Sequence, residues 1–454
     1  MAQVFFFNHA LLPDGWAKDV HIVVEGNRIV SVQPDAANLC GEPVPGIALP
    51  GLANLHCHAF QRGMAGLAER RGPSSDSFWT WREVMYKFLG RLTPDDVEAI
   101  AAFAYMQMLE RGFTALAEFH YLHHDIDGTP YADIGEMAGR LTAAAAATGI
   151  GLTLLPSFYA YGGFGGQPPV EGQHRFLNDP DRFMRLVARC REIAKDLPDT
   201  RIGIAPHSLR AVTPETLHAV VAANPDGPIH IHIAEQEKEV ADCVAWSGRR
   251  PLTWLCDEMP VDQRWCIIHA THLEEAETLR LAASGAVAGL CPLTEASLGD
   301  GIFDGARFVS ADGRFGIGTD SNIDIDAAGE LRQLEYSQRL AARARNVMAT
   351  ETAESTGMRL YRAAHAGGAH ALGRGDAAIA PGCRADIVVL AADHPDLACV
   401  DGDRWLDTWV FVAGRAAVQS VIAGGTLVVT DGRHRDREAI TARYTDALKR
   451  VVAD

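Results

Sequence analysis

Apolar residues in the middle of the chain gather in short runs typical of buried parallel strands, and stretches with helical periodicity separate most of them. Two helical stretches have clear start signals at Thr93-Pro94 and Thr213-Pro214, where threonine is the N-cap and proline takes the first helical position. The eight apolar runs cover residues 49–55, 114–119, 151–156, 202–206, 229–233, 265–269, 286–291 and 315–318. Eight strands with crossover helices over about 330 residues predict an α/β fold, a (β/α)8 TIM barrel with insertions. The alternative, a doubly wound open sheet, would not need eight strands, and no G-x-G-x-x-G follows the first run.

Both ends of the chain follow a different pattern, with short β-rich runs and glycine-containing turns such as Gly26-Asn27 and Gly424-Gly425. These runs cover residues 4–7, 19–25 and 28–32 near the start, and 385–390, 410–412, 420–422 and 426–429 near the end. Because the two end segments resemble each other and not the middle, we expect them to form one small β-sandwich domain. The predicted domains are a β-sandwich from 1–48 and 378–454, and a barrel from 49–377.

The composition is typical of a globular protein with a large core, since 48% of the 454 residues are hydrophobic and 22% are charged. The formal net charge of −17 argues against nucleic acid or an anionic membrane as a partner. An anionic substrate must therefore be bound by local arginines. Nine scattered cysteines without a CxxC pair indicate reduced thiols in the cytosol. The start lacks the basic region of a signal peptide and no apolar run could cross a bilayer, so we expect a cytoplasmic protein.

Histidines concentrate at the predicted carboxyl ends of the barrel strands, where barrel enzymes place their chemistry. His56 and His58 are two residues apart on one strand, so both imidazoles point to the same face and can share a metal ion. His232 is the third candidate ligand, while His230, deeper in its strand, is expected to be buried and hydrogen-bonded below the site. Asp320, after small residues that let the backbone approach closely, is the fourth. Three histidines and one aspartate leave a position for water, which suits one catalytic zinc ion, although iron or manganese could fill such a site.

Glu235 and His269 are the candidate acid–base residues, and Asp320 is a catalytic candidate as well as a ligand. Zinc lowers the pKa of a bound water to roughly 7, and a carboxylate beside that water can carry its proton to a leaving nitrogen. Each residue also has a purely structural interpretation. Glu235 lies in a charged run that could begin a helix in solvent, and His269 could simply cap a strand end.

This pattern resembles the amidohydrolase superfamily, and most of all its mononuclear zinc deaminase branch. The similarity rests on the HxH pair after strand one, His232 with Glu235, His269 after strand six and Asp320 after strand eight. It extends over essentially the whole chain, including the β-sandwich from both ends. Binuclear members of the superfamily use a carbamylated lysine on strand four, whereas strand four here ends at His207 with no lysine nearby. The resemblance therefore implies a metal-dependent hydrolase with a single zinc ion.

Within this branch, several stretches resemble the formimidoylglutamate deiminases. These stretches are residues 56–62, 78–83, 206–210, 232–236 and 291–295. The resemblance implies hydrolysis of N-formimino-L-glutamate to N-formyl-L-glutamate and ammonia, a step of histidine degradation. The substrate would then be a small dicarboxylate.

Residues that could bind a dicarboxylate follow the same strands. Arg82 and Arg210 can offer planar bidentate donors to carboxylates, and the Tyr121 hydroxyl can bond one. Gln61 and His207 can hydrogen-bond the formimino nitrogen or a carboxylate. Any single arginine is more often part of a surface ion pair, so this alternative stays open for both.

Two other functions remain open from the sequence. A deaminase of a nucleobase or an adenosine derivative could use the same metal site, but a flat pocket would need stacking and amide groups more than two arginines. A non-enzymatic scaffold with this fold would usually have lost metal ligands, and here the four candidates are all present. We also expect a homodimer, since a symmetric dimer is the commonest soluble oligomer.

Overall fold

The structure, a computed structural model, describes residues 2–36, 41–72, 75–350, 354–375 and 377–453. Its strands are β1 (Gln3–Leu12), β2 (Gly15–Glu25), β3 (Arg28–Gln33), β4 (Glu42–Pro43), β5 (Ile47–Pro50), β6 (Leu52–Cys57), β7 (Phe113–His120), β8 (Gly151–Phe158), β9 (Arg201–Ile202), β10 (Ala205–Pro206), β11 (Ile229–Ile233), β12 (Trp265–His269), β13 (Val287–Leu290), β14 (Arg314–Ile317), β15 (Ile387–Leu390), β16 (Val418–Ala423), β17 (Thr426–Thr430) and β18 (Arg433–His434). Its helices are α1 (Phe78–Leu89), α2 (Pro94–Glu110), α3 (Glu136–Thr148), α4 (Pro180–Ile193), α5 (Pro214–Ala222), α6 (Glu237–Ser247), α7 (Pro251–Glu258), α8 (Glu275–Ser284), α9 (Pro292–Leu298), α10 (Gly305–Ser310), α11 (Ala327–Ala342), α12 (Thr356–Ala371), α13 (Arg404–Thr408) and α14 (Arg437–Val452).

Parallel strands β6 to β14 form the predicted barrel in two halves. One half has the order β10-β8-β7-β6 with β9 beside β8, and the other has the order β11-β12-β13-β14. Parallel bridges between Ile204 and Ile229 and between Ser208 and His232 join the halves, and a bridge from Cys57 to Asp320 links the last strand to the first. Since β9 and β10 share the fourth position, each of the eight predicted apolar runs contributes a barrel strand. The prediction of a (β/α)8 barrel is confirmed.

The first predicted run, 49–55, divides between two sheets at Gly51. Strand β5 belongs to the sheet built from the chain ends, whereas β6 begins the barrel. The Gly51 backbone NH donates to the Asp386 carbonyl oxygen at 3.0 Å. A Cβ at Gly51 would lie 2.1 Å from the hydroxyl oxygen of Thr114, so only glycine allows this close crossing. Apolar patterning could not reveal the break, because β5 and β6 are both fully buried.

The nine-stranded terminal sheet takes strands from both ends of the chain, in the order β18-β17-β16-β15-β5-β1-β2-β3 with β4 beside β1. Strand β5 pairs in parallel with β1 and antiparallel with β15, so it joins the N-terminal strands to the C-terminal ones. The sheet has its own apolar core, which includes Phe5, Phe7, Ile22, Ile387 and Ile422. A β domain built from both ends is confirmed. The domain limits themselves, 1–48, 49–377 and 378–454, stay a prediction.

The strand predicted at 410–412 is wrong, because Trp409–Ala413 continues α13 as a wide helical turn. Trp405, Leu406, Trp409 and Val410 are buried at spacings of four residues, which is a helical pattern. Three apolar residues in a row were too short a run to distinguish the two structures. The chain also contains α14 after the last predicted strand, where no element was predicted. This helix stacks Tyr444 on Phe103 of α2 with ring centroids 3.9 Å apart.

The two predicted helix starts are correct. The Thr93 side chain accepts a hydrogen bond from the Asp96 backbone NH at the start of α2, and Thr213 does the same for Thr216 at the start of α5. Each cap pairs one of the NH groups that the first turn of a helix leaves free. Among the described residues, no helix combines the length and apolar content that crossing a bilayer requires.

Candidate active site

Four side chains from three strand ends converge at the carboxyl end of the barrel. His56 Nε2 lies 3.1 Å from His232 Nε2 and 3.3 Å from Asp320 Oδ1, and His58 Nε2 lies 3.4 Å from the same carboxylate oxygen. All four side chains are buried, and His56 is fully enclosed. The carboxyl ends of parallel barrel strands meet at one rim, which is why residues far apart in sequence come together here. The predicted metal ligands are therefore neighbours in space.

Backbone hydrogen bonds and a close contact join the ends of β14 and β6 at the point where these ligands attach. The Asp320 NH donates to the His56 carbonyl oxygen at 2.9 Å, and the His58 NH donates to the Asp320 carbonyl oxygen at 3.0 Å. Gly318 lies so close that a Cβ on it would be 2.8 Å from His56 Cβ and 2.9 Å from His56 N. Asp320 has φ 40°, a left-handed conformation that non-glycine residues seldom adopt. Such strain at a strand end is typical of functional sites.

Hydrogen bonds at the far side of two imidazoles fix which nitrogen faces the cluster. His58 Nδ1–H donates to the Phe119 carbonyl oxygen at 2.9 Å, and His232 Nδ1–H donates to the His207 carbonyl oxygen at 2.7 Å. A carbonyl oxygen can only accept, so the Nε2 atoms that face inward hold lone pairs. Burial lowers the pKa of both rings and of His56, and neighbouring histidines lower those of His56 and His232 further. Neutral imidazoles that converge on a carboxylate form a donor set that fits a divalent metal ion.

Glu235 and His269 lie beside this cluster, as predicted. His269 Nε2 is 3.8 Å from Glu235 Oε1 and 3.9 Å from Asp320 Oδ2. Burial raises the pKa of the Glu235 carboxyl to about 7, although His269 and Arg210 oppose the rise. Burial lowers the pKa of His269, but the surrounding carboxylates, Glu235 first, outweigh it and raise the value to about 10. Glu235 is buried, so its interpretation as a solvated acid at a helix start does not apply. His269 does end strand β12, and its side chain faces the carboxylates of this cluster.

Arg82 and Arg210 line the same pocket, which encloses about 570 Å³ together with the open solvent at its mouth. The Arg82 guanidinium lies 4.6 Å from the Trp79 ring centroid, and that of Arg210 lies 5.8 Å from it, so both stack near one indole of α1. Within the described part of the chain, neither guanidinium has a carboxylate within 4.0 Å, and the buried Nε of Arg210 has no hydrogen-bond partner. The ion-pair interpretation of these arginines is therefore wrong, and both are available to a ligand.

The other predicted substrate residues also line this pocket: Gln61, Tyr121 and His207. The Gln61 amide donates to the Tyr121 hydroxyl at 2.9 Å, while the buried Gln61 Oε1 has no partner among the described residues. His207 Nδ1 lies 3.2 Å from the Ser208 hydroxyl. His230 Nε2 instead contacts the Ala371 carbonyl oxygen at 2.8 Å, so the expectation that it is buried below the site is confirmed.

Two residues of the site were missed by the sequence analysis. Tyr159 lines the pocket and packs on His207 with ring centroids 4.7 Å apart, and Glu295 Oε1 lies 3.3 Å from His269 Nδ1. Tyr159 comes directly after β8, and Glu295 follows β13 within α9. These are strands three and seven of the barrel, and no side chain at their carboxyl ends was predicted to act in the site, although 291–295 was among the stretches that carry the family resemblance. Reading every strand end would have found both.

Comparison with known proteins agrees with this geometry. The sequence model of the Amidohydrolase family matches residues 47–428. The chain belongs to the amidohydrolase family. As an amidohydrolase, it is a hydrolase that acts on carbon–nitrogen bonds. A second model, the N-terminal domain of formimidoylglutamate deiminase HutF, matches residues 2–43 of this amidohydrolase.

Individual relatives of this amidohydrolase cover nearly its full length. It is 50% identical to the formimidoylglutamate deiminase of Pseudomonas aeruginosa over 448 residues, which are 98% of this chain and 99% of the relative. The 8-oxoguanine deaminase of the same organism is 28% identical, covering 95% of each chain. A crystal structure of an amidohydrolase from Brucella melitensis superposes with a TM-score of 0.96 at 52% identity, covering 99% of this chain and 100% of that one.

Proposed function

We propose that this amidohydrolase hydrolyses N-formimino-L-glutamate to N-formyl-L-glutamate and ammonia, in histidine degradation. The observation that carries the proposal is the 50% identity to a formimidoylglutamate deiminase over 98% of the chain. The pocket supports it independently, because two half-buried arginines without carboxylate partners among the described residues suit a substrate with two carboxylates. The nucleobase alternative has less support, since the 8-oxoguanine deaminase is only 28% identical and a neutral base would leave both arginines unpaired.

The proposal assigns one metal ion to His56, His58, His232 and Asp320. Zinc is the preferred ion because nitrogen and carboxylate donors with neutral imidazoles suit it, although iron or manganese could bind the same set. Bound there, zinc would make a water molecule nucleophilic at neutral pH. The donor set is already oriented by the Phe119 and His207 carbonyl oxygens, so little rearrangement is needed.

In the proposed reaction, Glu235 moves the protons. Its carboxylate accepts a proton from the attacking water as the oxygen–carbon bond forms at the formimino carbon. It passes that proton to the formimino nitrogen, so that the carbon–nitrogen double bond becomes a single bond to an amino group. It then takes the proton of the added hydroxyl and donates it to the same nitrogen as the carbonyl forms and the carbon–nitrogen bond breaks, and ammonia leaves. His269 and Asp320 orient the attacking water, and Glu295 holds the His269 ring through Nδ1. Burial keeps the pKa of Glu235 near the value that lets one carboxyl both accept and donate at neutral pH.

The proposed binding mode places the glutamate carboxylates on Arg82 and Arg210. Both guanidinium carbons lie near the Trp79 ring centroid, at 4.6 and 5.8 Å, and this contact would help to orient them before the substrate arrives. Tyr121 and His207 pack on the metal ligands His58 and His232, with ring centroids 4.8 Å apart in each pair. Together with Gln61, which donates to the Tyr121 hydroxyl, they would hydrogen-bond the formimino group or a carboxylate. A cytoplasmic homodimer stays a prediction from the sequence.

The deciding experiment measures ammonia release by zinc-loaded protein from N-formimino-L-glutamate, with guanine, cytosine and S-adenosylhomocysteine in parallel. We expect release from the first compound alone. The Glu235→Gln variant should retain its metal and lose about 10²- to 10⁴-fold in kcat. Release from a base or nucleoside instead would overturn the substrate assignment while leaving the proposed metal site intact.

A further inference from the structure

A second cavity lies at the other end of the barrel, where the strands begin. Together with the open solvent at its mouth it encloses about 560 Å³. Its lining includes residues at the start of β7, in β9, and in the segment that leads into β6. Arg28 and Arg384 reach it from the terminal sheet, and Arg374 reaches it from the segment after α12. The cavity therefore lies between the barrel and the β domain, away from the metal ligands at the carboxyl ends of the strands.

The described residues that line this cavity carry more positive than negative charge. Arg28 pairs with Asp199 at 2.9 Å, and Arg384 pairs with Asp386. Two further arginines line the cavity, Arg201 and Arg374, and neither has a carboxylate within 4.0 Å among the described residues. Among the described lining residues there are thus four guanidinium groups against two carboxylates, so two of the positive charges have no carboxylate partner in that part of the chain.

Among the arginines of this cavity, Arg374 has the most buried nitrogen atoms without a hydrogen-bond partner in the described chain. Its Nε and Nη2 atoms are buried and have no hydrogen-bond partner among the described residues. A Cβ built on Gly151 would be 3.2 Å from Arg374 Nη2 and 3.1 Å from Arg384 Nη1, so two guanidinium groups press against the same glycine. Burial and the Arg384 charge lower the pKa of Arg374 to about 10, which still leaves it protonated at neutral pH. A buried cation without a partner is costly, and an anion would offset that cost.

We propose that this cavity binds a small oxyanion with the chemistry of phosphate or sulfate. Arg374 would donate through Nε and Nη2, which form the planar fork that guanidinium groups use for oxyanions. Arg384 comes from the β domain and Arg374 from the barrel side, so the anion would join the two parts of the molecule. His365 adds a buried Nε2 without a partner in the described chain at the same place. The site holds no catalytic residue, so its occupant acts on stability and not on the chemical step.

Isothermal titration calorimetry tests this site. The metal-loaded protein is titrated with inorganic phosphate and separately with sulfate, and chloride at the same ionic strength is the control. We expect one saturable site for the oxyanions and none for chloride. Arg374→Met should weaken binding roughly tenfold to a hundredfold, the loss of hydrogen bonds to a charged group. Binding should also raise the Tm of the unmodified protein and leave its kcat unchanged.

Three further variants make the test decisive. Arg201→Gln removes an exposed lining arginine, so it keeps the test valid if Arg374→Met does not fold, and it should also weaken binding. Arg182→Gln is the matched control, since it removes an equal charge from an exposed ion pair with Asp179 on α4, and should leave affinity unchanged. Arg210→Gln should leave it unchanged too. Absence of saturable binding, wild-type affinity in both lining variants, or loss of binding in Arg210→Gln would overturn the proposal.

Discussion

Replacing Gly318 by alanine tests whether the close backbone contact between the ends of β14 and β6 holds the predicted metal ligands in place. The added methyl would lie 2.8 Å from His56 Cβ and 2.9 Å from both His56 N and His56 O, where ordinary contacts begin at 3.4 Å. Two of those atoms are backbone, so they cannot rotate away, and β6 must shift by about 0.5 Å. The φ of Gly318 is not left-handed, so the clash alone causes the effect.

That shift moves His56 against His232 and Asp320, its neighbours at 3.1 and 3.3 Å. We expect a loss of stability of about 1–3 kcal/mol from overpacking. Activity should fall about tenfold to a hundredfold, since a misplacement of 1 Å costs about a hundredfold. The measurements are metal content after dialysis, ammonia release at saturating substrate, and urea unfolding of the metal-loaded protein.

Gly139→Ala is the control for the same chemical change. Gly139 lies inside α3, and a Cβ there would meet nothing within 4 Å. Alanine should stabilise that helix by about 0.5–1 kcal/mol and leave metal and activity unchanged. If Gly318→Ala keeps wild-type metal content and rate, the close approach of Gly318 to His56 does not position the ligand, and the reasoning fails.

Three other predictions follow from the site. Arg82→Gln and Arg210→Gln should each lower kcat/KM about tenfold to a hundredfold with metal content unchanged, and full activity in both would exclude carboxylate binding there. Removing the metal with a chelator should abolish ammonia release and lower Tm, and added zinc should restore both; activity that survives complete metal removal would refute the metal site. Burial raises the pKa of the Asp300 carboxyl to about 9, with Glu235 the largest charge effect. Because a raised carboxyl pKa makes the folded state bind more protons, its contribution to stability is lost as pH rises from about 4 towards 9. Urea unfolding of metal-free Asp300→Asn should therefore show a smaller loss over that range than wild type, and parallel curves would contradict the assignment.

The sequence predicted the barrel because its strands are buried on both faces and appear as separate apolar runs. His56, His232 and Asp320 could be recognised because polar side chains gather at the carboxyl ends of these runs, whereas an imidazole deeper in a run, such as His230, is buried below the site. The partition of 49–55 at Gly51 was hidden, since it depends on the hydroxyl of Thr114 in another strand. The unpaired state of Arg82 was equally hidden, because a sequence does not show which carboxylates an arginine fails to meet.

The pairing of strand β5 determines when, during synthesis of the chain, the terminal sheet can form. This strand pairs in register with β15, from Ile47 opposite Leu390 to Pro50 opposite Ile387. A ribosome must therefore release the entire barrel before the sheet that begins at the N-terminus can close. Until then β5 offers an unpaired, fully apolar edge, which is a template for association with other chains. A nascent or truncated chain that ends before β15 should consequently depend on chaperones, even where its barrel is complete.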